Sequence, residues 1–180
     1  MRRLIIISVL LGFIVACEKG DNNNKNTGEV ILTSERILTD TYRSVGFSFR
    51  EGKNVPFPAI GGIVPDIVVI NDTDIENNIT DAIFTCPNNL LAFHLEGSFN
   101  SLPEALARFN EYKEVTAEDF SALANPVINY QVWTVQTTEQ KFAKIVIKNI
   151  QIKTDSPVSD YIEVTVEYQY QPDGTKIFTE

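Results

Sequence analysis

From Tyr161 to Gln171 the chain alternates without a break. Ile162, Val164, Val166, Tyr168 and Tyr170 are interleaved with Glu163, Thr165, Glu167 and Gln169. Side chains on a strand repeat with a period of two, so this run has one apolar face and one wet face. A strand of that kind needs neighbours to bond its backbone and a second layer to cover its apolar side. Two more long strands precede it, Tyr130 to Thr138 and Phe142 to Lys153. The second of these changes phase. Ala143, Ile145 and Ile147 share one parity, with Lys144 and Lys148 opposite, but Ile150 and Ile152 fall on the other. A one-residue slip flips every later side chain, so a bulge or bend is predicted near Lys148-Asn149. Pro172-Asp173-Gly174 reads as a tight turn, and Thr175 to Phe178 as a short returning strand.

The earlier part of the chain is β in shorter pieces. Tyr42 to Arg50 alternates and is followed by Gly52, which predicts a strand and turn. Val55 to Pro65 carries three prolines and Gly61-Gly62 and reads as an irregular loop. Ile67-Val68-Val69-Ile70 is wholly apolar and β-branched, which suggests a central strand. Asn71 to Thr80 is polar and reads as a loop, and Leu90 to Gly97 as another strand. Between β segments, Leu102, Ala105, Leu106, Phe109 and Tyr112 recur at helical spacing, behind a Ser101…Glu104 capping box and Pro103. Thr116-Ala117-Glu118-Asp119 predicts a second short helix, running to about Ala124 and stopped by Pro126. The expected fold is mainly β: a single antiparallel β domain with sandwich-like sheets and two short helices inserted at about 101–124. No repeat or second domain boundary appears.

The first residues have a separate purpose. Arg2 and Arg3 precede thirteen uncharged, mostly aliphatic residues from Leu4 to Ala16. That is the positive n-region and apolar h-region of a secretory signal. About 20 apolar residues are needed to span a bilayer, so this run is too short for a transmembrane anchor. It ends in Ile14-Val15-Ala16-Cys17, which resembles the lipobox of bacterial lipoprotein precursors. The resemblance implies lipidation of Cys17 and cleavage before it, and more than one acyl chain makes such attachment durable. The polar stretch Glu18 to Gly28 has no apolar residue and reads as a flexible tether. The expected organisation is therefore a signal peptide at 1–16, the lipidated Cys17 with its tether to 28, and a β domain at 29–180.

Cleavage leaves 164 of the 180 residues, enough for one domain with a sizeable core. It also removes Arg2 and Arg3, taking the net charge from −9 to −11. So acidic a chain repels phosphate backbones, and nucleic-acid binding is not expected. With Cys17 committed to lipid, Cys86 stands alone and no intrachain disulfide is expected. Its setting, Ala82-Ile83-Phe84-Thr85-Cys86 ahead of Pro87, predicts a buried and inert thiol. One histidine and no Cys pair exclude the common metal clusters.

Any nucleophile–His–acid arrangement would have to use His94, the sole histidine. Leu91, Phe93 and Leu95 share one parity, so His94 and Glu96 point the other way. No Gly-rich phosphate loop is present, and no enzyme is expected. Trp133, on the face opposite Val132, and the six tyrosines either line a binding pocket or fill core and girdle positions.

A family resemblance goes further. Asn125-Pro126-Val127, Val132 to Thr137, Lys141 to Ile145 and Val164 to Tyr170 are similar to the C-terminal half of the HmuY-like lipoproteins. Phe47 to Lys53 and Pro65 to Val69 resemble that family's early strands, and the likeness spans roughly residues 40–178. It implies an all-β domain anchored at the outer membrane that captures haem and passes it to a TonB-dependent receptor. It also implies two axial His or Met ligands to the haem iron. Here His94 is the one histidine, and Met1 leaves with the signal peptide. Haem would then be held by His94 with a tyrosine or Cys86 as second ligand, or by two His94 side chains in a dimer. Otherwise the fold has been kept without haem, as an adaptor or structural lipoprotein that binds a partner protein or another nutrient.

Overall fold

The computed structural model describes residues 25–38, 43–154, 156 and 158–179. Three long strands build its largest sheet. β8 (Gln131–Gln136), β9 (Phe142–Lys153) and β10 (Tyr161–Gln171) pair antiparallel in sequence order. β1 (Thr27–Thr33) and β6 (Phe93–Ser98) close the two sides, giving the order β1-β10-β9-β8-β6. A second sheet has the order β4-β5-β7, from Val68–Thr73, Ile79–Thr85 and Leu123–Val127. The hairpin β2-β3 (Ser44–Ser48 and Lys53–Phe57) joins it through an antiparallel bridge between Phe47 and Ile67.

The two layers face each other across one apolar core. Ile162, Val164, Val166, Tyr168 and Tyr170 point inward from β10, as their parity requires. They meet Phe47, Phe49, Val69, Ala82 and Phe84 from the opposing layer. Phe47 and Tyr168 make an edge-to-face contact, with ring centroids 5.0 Å apart. Trp133 belongs to this core, and its Nε1–H donates to Gln131 Oε1 at 3.0 Å. Val132, of opposite parity, packs instead beneath the helix α1 (Leu102–Glu111) with Val146, Ala105 and Phe109. Among the described residues, all members of the three apolar clusters lie between Val30 and Phe178.

The predicted irregularity in β9 is a bulge at Lys148. Ile147 pairs with Val166 and Asn149 with Thr165, and Lys148 has no partner residue between them. The extra residue returns Ile150 to the core side, opposite Val164. α1 follows its apolar spacing, but the capping box is not made. Ser101 gives no side-chain cap bond, and Glu104 Oε2 accepts from the Asn100 N–H at 3.2 Å.

Five sequence expectations differ. Residues 116–120 form no helix, and Leu123 and Ala124 belong to β7. Ser121 exchanges two backbone bonds with Phe93, and Ala124 sits opposite Phe84, so sheet pairing overrides the local helix signal. The Ile67–Ile70 run is flanked by the hairpin only at Ile67, which exchanges two backbone bonds with Phe47; beyond it β4 is the border of its three-stranded sheet, and Ile67 to Val69 are buried. The first part of the proline-rich loop is strand β3. β1 begins at Thr27, two residues inside the stretch read as tether, because Thr27 and Gly28 continue the ladder opposite Gln169 and Tyr168. The expected final strand is reduced to a bridge between Ile177 and Glu114.

Candidate functional site

His94 projects from β6 on the outer face of the large sheet, on Glu96's side, as its parity predicts. The ring is held by acids. Nδ1 lies 2.9 Å from Asp119 Oδ1 and 3.4 Å from the Asp119 carbonyl oxygen, and Nε2 lies 3.9 Å from Glu96 Oε1. Phe120 covers one side, its centroid 5.9 Å from the imidazole. The strap that carries Asp119 and Phe120 is fixed at its far end by Ser121 and beneath by the contact of Phe120 with Phe142.

Glu96 is the more buried partner and anchors a chain of polar groups. Thr134 Oγ1 is within hydrogen-bonding distance of both Glu96 Oε1, at 2.7 Å, and the Tyr112 hydroxyl, at 2.9 Å. Arg108 reaches Glu96 Oε2 at 3.4 Å and lies over the Tyr112 ring. Burial, then the bonded Glu96, push the Tyr112 phenol upward, away from the phenolate form.

Beside this chain is a feature that the sequence does not announce. Lys144 is 1% exposed. Its Nζ donates to the carbonyls of Phe109 at 2.7 Å and Tyr112 at 2.8 Å, and lies over the rings of Phe109 and Phe178. A cation on the last carbonyls of a helix suits the macrodipole. Burial, then the charge of Lys113, push the amine down to about 8. The one signal in the sequence was that Val146, of the same parity, is apolar.

On the other side of the molecule Asp66 is buried. Its Oδ2 accepts from the Phe49 N–H at 2.9 Å, and its Oδ1 from the Thr138 N–H at 2.9 Å and hydroxyl at 3.0 Å. Burial raises this carboxyl above its ordinary range despite those bonds. Cys86 is buried as expected, and burial pushes its thiol up to about 11.

Three hollows are lined by described residues, and His94 lines none of the three. One of about 240 Å³ contains Asp66 beneath the Arg50–Glu139 ion pair. A second, of about 930 Å³, runs between the end of α1 and the β1–β10 edge, with Lys144 and Phe109 in its wall. The third, of about 980 Å³, lies between the segment after β1 and strand β4.

These residues do not fit axial haem ligation. The His94 nitrogens face two carboxylates, the Tyr112 hydroxyl is spent on Thr134, and Cys86 is held as a buried thiol. Cys17 lies outside the described residues. Among those residues, no helix is long and apolar enough to cross a membrane, and no group of three His, Cys, Asp or Glu could hold a metal ion. Comparison with protein-family models found no match. Comparisons with curated proteins and with solved structures likewise found none.

Proposed function

We propose that this chain is an outer-membrane lipoprotein whose β-sandwich is a non-catalytic binding module, held at the bilayer by acyl chains on Cys17. The observation that carries this reading is where the sandwich begins. Among the described residues the sandwich is engaged from Lys25, whose carbonyl accepts from the Tyr168 hydroxyl, eight residues after Cys17. Eight residues reach at most about 28 Å, at roughly 3.5 Å each. A lipid on Cys17 would thus keep the whole domain close to the membrane surface while leaving it free to turn. Binding rather than catalysis is favoured by the state of the reactive groups. The sole histidine is engaged by Asp119, and the sole described thiol is buried.

The partner class favoured is a non-haem ligand or a protein. The haem reading, with its TonB-dependent receptor, is a second reading favoured by the sequence resemblance alone. Two measurements test the proposal. Chain made in a Gram-negative host should incorporate labelled palmitate, and Cys17→Ala should lose both label and membrane association. An unlabelled, uncleaved wild type would refute the anchored reading. Titration with haemin separates the ligand classes: the expected result is no saturable Soret shift at micromolar haemin. A saturable shift abolished in His94→Ala would replace the non-haem reading with the haem one.

A further inference from the structure

The third hollow differs from the others in its chemistry. Its walls include Leu38, Phe57, Val68 and Ile70, and two arginines, Arg36 and Arg43, stand beside them. Among the described residues no carboxylate lines it, although the chain carries 24 acidic residues and a net charge of −9. Leu38 and Ile70 are exposed at 71% and 40%. Among the described residues neither arginine makes an ion pair, whereas Arg50, Arg108, Lys141, Lys148 and Lys153 all do.

The backbone holding these side chains is fixed. Ile37 N–H donates to Arg43 O at 2.9 Å, and Arg43 N–H to Phe57 O at 3.1 Å. Ser34 Oγ bonds Asn71 on β4 and accepts from the Ile162 N–H. The arginines thus sit on a segment pinned to three strands. The hollow also lies at the far end of β1 from its start at Thr27. The strand rises about 3.3 Å per residue, so the two ends are roughly 20 Å apart.

We propose that this groove binds a single-chain anionic amphiphile, with its carboxylate head on Arg36 and Arg43 and its alkyl chain over Leu38, Phe57, Val68 and Ile70. Guanidinium forks match carboxylate oxygens in two parallel hydrogen bonds. The volume falls within the range of about 300–1,000 Å³ typical of small-molecule sites. A cationic amphiphile would meet two like charges. A bilayer surface is the less favoured occupant, because the groove is at the end of β1 away from the anchored side. The inference deepens the binding-module reading, and its test does not use the anchor, so either can fail alone.

The experiment titrates the chain from Lys19 onward with laurate below its micellar range and follows backbone amide shifts. Saturable shifts at Arg36, Arg43, Ser44 and Asn71 are expected. Affinity should fall at least tenfold in Arg36→Gln/Arg43→Gln, where both replaced side chains are exposed and the fold is not at stake. Dodecyltrimethylammonium should bind at least tenfold more weakly than laurate. Ile70→Asp should also block laurate while leaving both arginines in place. The proposal is overturned if laurate gives no saturable shift, if the double variant binds as well as wild type, or if the cationic detergent binds equally. It is likewise overturned if the chain binds phosphatidylglycerol vesicles but not laurate.

Discussion

Lys144 Nζ lies 2.7 Å from the carbonyl oxygen of Phe109, so a buried cation on the large sheet closes the end of the only helix among the described residues. Among the described residues no carboxylate pairs with the ammonium; it is held by two carbonyls and two ring faces. Folding brings its pKa from the ordinary 10.5 down to about 8. Between those values the unfolded chain holds more protons than the folded one, so stability rises with pH across that window. At 1.36 kcal/mol per unit the rise is at most about 3 kcal/mol. Urea midpoints from pH 7 to 10 should show wild type gaining on Lys144→Met. A constant difference would contradict the assignment.

Asp66 ties the turn after β2 to the β8–β9 hairpin through Phe49 and Thr138. Asp66→Asn turns one acceptor into a donor that faces an N–H, and should cost about 1–3 kcal/mol in chemical denaturation. The carboxyl is raised in the folded state, so the folded protein takes up its proton first. Acidification through that folded pKa therefore stabilises wild type at this group, and the deficit of the non-titrating variant should be smallest near neutral pH and grow as pH falls. A variant as stable as wild type at pH 7 would rule out the bridge.

Gln131 Oε1 accepts from both the Trp133 indole and the Ile128 N–H, each at 3.0 Å. Gln131→Leu leaves two donors without their partner, and a loss of about 2–4 kcal/mol is expected. Trp133 is the only tryptophan, so its emission reports the site directly. Wild type should emit from a buried indole, and the variant should unfold at lower urea.

The ion pair of His94 with Asp119 is worth little, because the Asp119 side chain is 86% exposed. His94→Gln should change stability by less than about 1 kcal/mol. A loss of several would mean that the strap over Phe142 depends on the histidine.

The bulge at Lys148 yields the sharpest contrast. Deleting Lys148 makes β9 a regular strand in which Ile147 still faces Val166 and Ile150 still faces Val164. The fold should persist at a cost of about 1–2 kcal/mol, chiefly from ion pairs with Glu29 and Glu167. Deleting Val146 instead turns Ile147 outward and Lys148 inward, and should abolish cooperative unfolding. Equal effects of the two deletions would contradict the register.

The same strands show what was legible in advance. β9 and β10 run over the residues that alternation marked, and the phase change located the bulge to within one residue. Such positions carry their own pattern. β1, β5 and β7 do not: Thr27-Gly28-Glu29 and Leu123-Ala124-Asn125 become strands because a ladder is waiting for them, which is information held by Gln169 and Phe84. The direction of His94 followed from parity, but its neighbour Asp119 comes from a segment read as helix. The burial of Lys144 was hidden because a lysine on an alternating strand ordinarily marks the wet face, and only the placement of α1 reverses that.

β1 borders its sheet and is the first strand described, running from Thr27 to Thr33 against Gln169 to Glu163. A mechanical load arriving from the N-terminal side therefore enters the sandwich through one strand. A pull along the strand axis is shared by seven residue pairs at once, in shear. A sideways pull opens them singly, like a zipper. The domain is thus stiff toward one direction of tension and yielding toward the other, and the direction is set by how the molecule lies relative to whatever holds its leading end.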